Sequence, residues 1–139
     1  MESIYESMKL VKCNEAIPPK KGITKMIMAL FWPPSTAIKG SAFENPTMRN
    51  VLNSTGLREE EVCVIDLFER APIRNKDFDI KVARRFIAES KNLRLHYLRR
   101  IRQALAETGL NKVFVGGPDC GNALKDWVPM IPILYMERC

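Results

Sequence analysis

Two aspartates lie where a catalytic base or a sugar-binding group could stand. Asp66 lies in an apolar run, and Asp119 follows a Gly-Gly-Pro sequence. A carboxylate at the end of a strand can take up a proton or hydrogen-bond a ribose. Each aspartate also has a structural alternative: Asp66 could hydrogen-bond loop N–H groups, and Asp119 could be a helix N-cap. Both are candidate catalytic residues.

Two loops contain small residues that could hold a ligand. The first reads Pro-Pro-Ser-Thr-Ala from residue 33, and the second reads Gly-Gly-Pro-Asp from residue 116. Glycine allows close approach to the backbone, and free N–H groups at a helix start can bind an anion. The pattern is neither a P-loop nor a GxGxxG fingerprint, so no cofactor is expected, and two tight turns are the alternative. The candidate ligand-binding residues are Pro34, Ser35, Thr36, Arg70, Gly116 and Gly117.

Basic residues are concentrated between Lys81 and Arg102, where eight Lys and Arg accompany one acid, Glu89, in a chain of net charge +6. Arginine suits bidentate phosphate contact, and this charge favours nucleic acid as a partner. Phe31, Trp32 and Tyr97 could stack on a base, although strand-end aromatic residues such as Phe31 and Trp32 are more often core. A solvated basic surface is the alternative. The candidate nucleic-acid-binding residues are Arg84, Arg85, Lys91, Arg94, Arg99, Arg100 and Arg102.

Apolar runs alternate with helical patterns along the chain. The runs predict strands over residues 25–32, 61–68, 112–117 and 131–136. Pro132 favours an edge position for the last strand. The helical patterns cover residues 46–55, 78–89, 92–108 and 119–127. The apolar side of the third helix is predicted to consist of Leu95, Leu98, Ile101 and Leu105.

This order predicts a single α/β domain over residues 25–139, preceded by a lead-in over residues 1–24 with an edge strand near residues 8–13. The predicted architecture is a three-layer Rossmann-like domain with a mostly parallel four-stranded sheet. In such sheets ligands bind beyond the carboxyl ends of the strands. The expected site is therefore formed by the loops 33–44, 69–77 and 116–122.

Composition excludes several classes of protein. No apolar run approaches the roughly 18 residues that span a bilayer, and no secretory signal is recognised, so a cytoplasmic protein without a membrane partner is expected. The chain has one histidine, His96, and its cysteines form no CxxC pair, so no metal site is expected. The cysteines are Cys13, Cys63, Cys120 and Cys139.

Four short sequences occur in a recognisable order: Pro34 to Ala37, Asn45 to Thr47 with Arg49, Ile65 to Phe68 with Arg70, and Phe114 to Gly116. Over about residues 25–136 they resemble a bacterial and phage family, domain of unknown function 1643. The layout is also similar to the uracil-DNA glycosylase superfamily. That similarity implies a strand leading into a proline-containing, water-binding loop, and a basic surface that holds DNA.

The chain departs from these families at two places. Pro33 stands where members of the first family have asparagine, and no His-Pro segment follows the last predicted strand. Glycosylases use that histidine to stabilise the departing base, so we expect little or no excision of uracil from DNA.

The function predicted from the sequence is therefore largely sequence-nonspecific, phosphate-directed nucleic-acid binding, with weak or absent catalysis. The alternatives are an active enzyme on nucleotides or nucleobases, such as an N-glycosidic hydrolase, and a scaffold protein for an acidic protein partner. The choice between RNA and DNA and the oligomeric state stay open.

Overall fold

The computed structural model describes residues 10–14, 17–72, 80–116 and 133–136. Its strands are β1 (Leu10–Lys12), β2 (Met26–Leu30), β3 (Val62–Asp66), β4 (Arg70–Pro72), β5 (Val113–Gly116) and β6 (Ile133–Met136). Its α-helices are α1 (Pro46–Thr55), α2 (Ile80–Glu89) and α3 (Lys91–Thr108). Three short 3-10 helices cover Ser35–Ile38, Ala42–Glu44 and Glu59–Glu61. The mixed α/β class predicted from the sequence is confirmed.

The main sheet has the strand order β3-β2-β5-β6 in the described part of the chain. β2 pairs in parallel with β3 and with β5, and β5 pairs in parallel with β6. The register sets Leu30 beside Asp66, so β2 and β3 end at the same edge. β6, next to Pro132 in the sequence, lies at the edge of the sheet.

Side chains of the central strands alternate between two apolar clusters. Ile27 and Ala29 of β2 belong to a cluster that includes residues of α2 and α3. Met26 and Met28 belong to a second cluster with Met48 of α1. Successive side chains of a strand point to opposite faces. Helices therefore cover both faces of the sheet, and the apolar runs of β2 and β3 are explained by burial on both sides.

Helix α1 begins and ends as its sequence predicts. The Asn45 side chain accepts hydrogen bonds from the backbone N–H groups of Thr47 and Met48, at 3.0 and 3.4 Å. Pro46 occupies the first helical position, where its missing N–H costs nothing. Gly56 ends the helix with φ of 72°, a left-handed conformation that glycine adopts without strain.

The buried side of α3 differs from the predicted one. Its buried residues are Leu93, Tyr97, Leu98, Ile101 and Ala104. The predicted Leu98 and Ile101 are among them, but Leu95 and Leu105 are only partly buried. The helix is rotated so that Tyr97, fully buried, faces the sheet. Tyr97 is therefore a core residue and is not exposed for stacking on a base.

The segment after β3 is more regular than expected. The sequence predicts a loop over residues 69–77, but Arg70–Pro72 forms β4, which pairs antiparallel with β1 in a separate two-stranded sheet. Leu10 of β1 packs into the core cluster of α2 and α3, so this pairing fixes part of the predicted lead-in against the domain. The predicted helix over 119–127 lies outside the described residues, as do Asp119 and Gly117.

Candidate functional site

A cavity of about 950 Å³ opens at the carboxyl ends of β2 and β3. Four parts of the chain form it: the β1–β4 sheet, the loop after β2, the end of β3 with the following residues, and one side of α3. Its polar and charged lining residues are Lys12, Cys13, Asn14, Ser41, Asp66, Glu69, Arg70, Asn92, His96 and Arg100. The location is the one that parallel strand order favours for ligand binding.

Asp66, the last residue of β3, is buried in the wall of this cavity and is only 4% exposed. Its carboxyl atom Oδ1 has no hydrogen-bond partner among the described residues. Burial raises the pKa of this carboxyl to about 7; the Arg100 guanidinium lowers the pKa and Glu69 raises it. Oδ1 is therefore not held by loop N–H groups, and the carboxyl can change its charge near neutral pH.

Glu69 lies between two basic side chains that α3 places one turn apart. Its Oε1 is 3.2 Å from His96 Nε2 and 3.2 Å from Arg100 Nη1. Arg100 also donates a hydrogen bond through Nη2 to the backbone carbonyl of Asp66. We call His96 and Arg100 the α3 pair. Residues four apart lie on one side of a helix, so both reach the same wall of the cavity.

Tyr97 fixes the orientation of the α3 pair. Its hydroxyl donates to the carbonyl of Leu30 at 3.0 Å and lies 3.5 Å from the carbonyl of Ile65. These carbonyls are at the ends of β2 and β3, so one buried hydroxyl ties the middle of α3 to the strand ends. The flanking residues His96 and Arg100 are thereby directed to the cavity.

The predicted nucleic-acid-binding residues do not form one group. Arg100 lines the cavity, and Arg94 is partly buried with its Nε unpaired among the described residues. The exposed members are Arg84, Arg85, Lys91, Arg99 and Arg102. α3 therefore presents basic side chains both to the cavity and to solvent.

The predicted ligand-binding residues are also divided. Pro34 and Arg70 line the cavity. Thr36 is partly buried, its Oγ1 has no partner among the described residues, and it is not one of the lining residues. The backbone of Ser35 begins a 3-10 helix, and its side chain lies outside the description.

Gly116 lies against the Leu30 side chain and is not one of the residues that line the cavity. A Cβ atom there would lie 2.5 Å from Leu30 Cδ2, so a larger residue would require this side chain to shift.

The aromatic residues after β2 pack on one another. The ring centroids of Phe31 and Trp32 are 4.6 Å apart, and those of Phe31 and Phe68 are 5.4 Å apart, both with edge-to-face geometry. Trp32 is partly buried against the core cluster. These contacts favour the core role of Phe31 and Trp32 over base stacking.

Two described cysteines have raised pKa values. Cys13 lines the cavity, and burial, with a smaller contribution from Asp66, raises the pKa of its thiol, while the Ala71 backbone N–H lowers it. Cys63 lies within β3, and burial raises the pKa of its thiol to about 12. Thiols with raised pKa are poor nucleophiles, so neither is a candidate for nucleophilic catalysis.

The predicted site loop 69–77 includes Glu69 without singling it out, and sequence reasoning missed His96, Cys13 and Lys12 as residues of this cavity. The four-residue spacing of His96 and Arg100 was visible, but the spacing does not say which side of the helix faces the sheet. Glu69 reaches the α3 pair through a contact between residues 27 apart in sequence, which local patterns do not reveal.

Comparison with protein-family models, curated proteins and solved structures finds no match to this chain. Within the described ranges, no group of three or more His, Cys, Asp or Glu side chains is arranged to hold a metal ion. Among the described helices, none combines the length and the apolar character that crossing a bilayer requires.

Proposed function

We propose that this chain binds nucleic acid, largely without sequence preference, and that the cavity receives one nucleotide of the bound strand. The observation that carries the proposal is the cavity itself, where the α3 pair lies close to a buried carboxyl with an unpaired oxygen. A nucleotide has complementary groups: an anionic phosphate and a base with N–H donors. The volume of about 950 Å³ is at the upper end for small-molecule sites.

The phosphate part of the proposal rests on the basic residues of α3. Arg99 and Arg102 are exposed residues of α3, the helix whose His96 and Arg100 line the cavity. A strand whose nucleotide enters the cavity can therefore place neighbouring phosphates against them. Such contacts release counterions, so they bind every sequence and weaken steeply with salt.

The base part rests on Asp66. A buried polar atom without a partner costs roughly 1–3 kcal/mol, and a ligand N–H donor would remove that cost. Because the carboxyl is otherwise enclosed by protein, its contact with a base would be shielded from water.

We further propose that the scaffold is a three-layer, Rossmann-like domain. The parallel pairs in the order β3-β2-β5-β6 and the helices on both faces of the sheet support this. The resemblance to domain of unknown function 1643 and the similarity to the uracil-DNA glycosylase layout agree with the same scaffold.

Fluorescence anisotropy with a labelled single-stranded oligonucleotide tests the binding proposal. We expect log affinity to fall linearly with log salt, and Arg99→Ala with Arg102→Ala to lower the slope by up to about two. The control is Lys25→Ala with Lys112→Ala, which removes equal charge from exposed residues preceding β2 and β5, at the opposite edge of the sheet. The proposal is contradicted if the affinity of wild type does not change with salt concentration, or if both double variants lose equal amounts of affinity and of salt dependence.

A second candidate function is hydrolysis of an N-glycosidic bond, and one observation favours it. His96 and Asp66 line the same cavity, so a histidine is available in the site of the candidate base. Asp66 with a pKa near 7 suits a general base that activates water for attack on the sugar carbon. The bond from the sugar carbon to the nucleobase breaks, and the departing nucleobase takes up the proton that Asp66 removed from the water.

Chromatography of the free bases released from oligonucleotides tests this second function. Release by wild type, lost in Asp66→Asn with binding retained, supports hydrolysis. Binding without release leaves nucleic-acid binding as the function.

A further inference from the structure

Glu69 places a carboxylate where the anionic group of a ligand would bind. One of its oxygens contacts both members of the α3 pair at 3.2 Å. Glu69 is 52% exposed and His96 is 53% exposed, whereas Arg100 is only 25% exposed. An exposed contact of this kind contributes little to stability, so the carboxylate can be displaced at small cost.

The α3 pair is better suited to a phosphate than to a single carboxylate oxygen. Arg100 is held in place by the hydrogen bond that its Nη2 donates to the Asp66 carbonyl. Its Nη1 and His96 Nε2 share one acceptor, a single oxygen of Glu69. A phosphate has enough oxygens to contact Arg100 and His96 at once.

We propose that the α3 pair is a phosphate-binding subsite of the cavity and that Glu69 occupies it, as an internal competitor, until a phosphate displaces it. The inference rests on the proposed function only in taking the cavity as the ligand site, and it adds the chemical group that is recognised and a residue that opposes binding. Displacement breaks the contacts of Glu69 with His96 and Arg100 and replaces them with contacts to phosphate oxygens.

Phosphate binding can be followed at His96 directly, because it is the one histidine of the chain and its ring signals cannot be confused with those of another histidine. The experiment follows the His96 ring C–H resonances by NMR while inorganic phosphate replaces chloride at fixed pH and ionic strength. We expect saturable shifts in wild type. In Glu69→Gln the same end point is expected at about three- to fivefold lower phosphate, because the competitor has lost its charge.

The matched control is Glu60→Gln. Glu60 is also exposed and also contacts an arginine, Arg58 at 3.0 Å, but it is not one of the residues that line the cavity. The net charge changes equally in both variants. An equal increase in phosphate affinity in Glu69→Gln and Glu60→Gln shows a general charge effect and overturns the proposal. The proposal is also overturned if the His96 resonances do not respond to phosphate in wild type or in Glu69→Gln.

Arg100→Gln is expected to weaken phosphate binding at least tenfold. Because Arg100 also bonds the carbonyl of Asp66, His96→Gln serves as a second variant whose side chain is exposed, with phosphate binding followed through backbone amide shifts of α3. A folded His96→Gln variant that binds phosphate as tightly as wild type overturns the role of the pair.

Two further ligands identify the source of the phosphate. A nucleoside 5′-monophosphate carries a terminal phosphate, and an oligonucleotide without terminal phosphate carries only internal diesters. Tighter binding of either ligand to Glu69→Gln than to wild type supports the subsite. The ligand whose affinity increases shows whether the subsite binds a terminal phosphate or an internal phosphodiester. If oligonucleotides do not bind at all but the monophosphate responds, the subsite stands and the nucleic-acid proposal fails. If oligonucleotides bind equally to wild type and Glu69→Gln without shifting His96, the nucleic-acid proposal stands and the subsite fails.

Discussion

The buried carboxyl of Asp66 should make the protein less stable as pH rises. Burial raises its pKa from 3.8 to about 7 in the fold. Between these two pH values the folded chain holds a proton that the unfolded chain has released. The folded state therefore binds more protons, and the free energy of unfolding falls with pH across this window and levels off above it.

The size of the effect follows from the two pKa values. One pKa unit corresponds to about 1.4 kcal/mol, so the interval from 3.8 to about 7 amounts to roughly 4 kcal/mol at full ionisation. Roughly 3 kcal/mol of this falls between pH 5 and pH 8. Asp66→Asn keeps the shape of the side chain and cannot ionise, so the variant lacks this loss.

Urea unfolding of wild type and Asp66→Asn at pH 5, 6, 7 and 8 measures the effect. We expect the stability of the variant relative to wild type to increase by roughly 3 kcal/mol across the series. A constant offset reports packing of the amide, whereas the pH-dependent part reports ionisation. Glu60→Gln, which removes an exposed carboxylate, gives the baseline. Parallel curves for wild type and Asp66→Asn would refute the argument.

One further substitution and one chemical modification test the remaining physical arguments. Tyr97→Phe removes the hydroxyl that donates to the Leu30 carbonyl and should lower the free energy of unfolding by about 1 kcal/mol in urea titrations. An unchanged midpoint would show that this hydrogen bond does not stabilise α3. Cys63, with a thiol pKa of about 12, should resist alkylation by iodoacetamide at pH 8 in the folded protein and react after unfolding. Peptide mass spectrometry measures this, and rapid modification of Cys63 in the native state contradicts its burial.

Elements whose signals are local could be predicted from the sequence. The apolar run that forms β2 is bounded by Gly22 and the Pro33-Pro34 pair, and its residues occupy both faces of the sheet. Helix α1 carries its own start and stop in Asn45 and Gly56. Strand β4 could not be predicted in this way. It exists through pairing with β1, about 60 residues earlier in the chain, and such pairing leaves no local pattern.

The cavity depends on the rotation of α3, which its own sequence does not determine. Apolar residues along this helix fit more than one stripe, because Leu95 and Leu105 compete with Leu93 and Tyr97 for the buried side. In the observed orientation Leu93 and Tyr97 are buried, and the Tyr97 hydroxyl donates to the carbonyl of Leu30. The apolar pattern of the helix alone does not distinguish this buried side from the predicted one.

The same rotation determines which basic residues can act together. With Tyr97 directed at the strand ends, His96 and Arg100 line the cavity, whereas Arg99 is exposed to solvent. The number of basic residues over 81–102 does not distinguish exposed side chains from Arg100, which binds the backbone carbonyl of Asp66. A substitution at Arg99 should therefore change salt-dependent attraction, while one at Arg100 should change recognition inside the cavity. The two roles of α3 are separable by experiment because Arg100 lines the cavity and Arg99 does not.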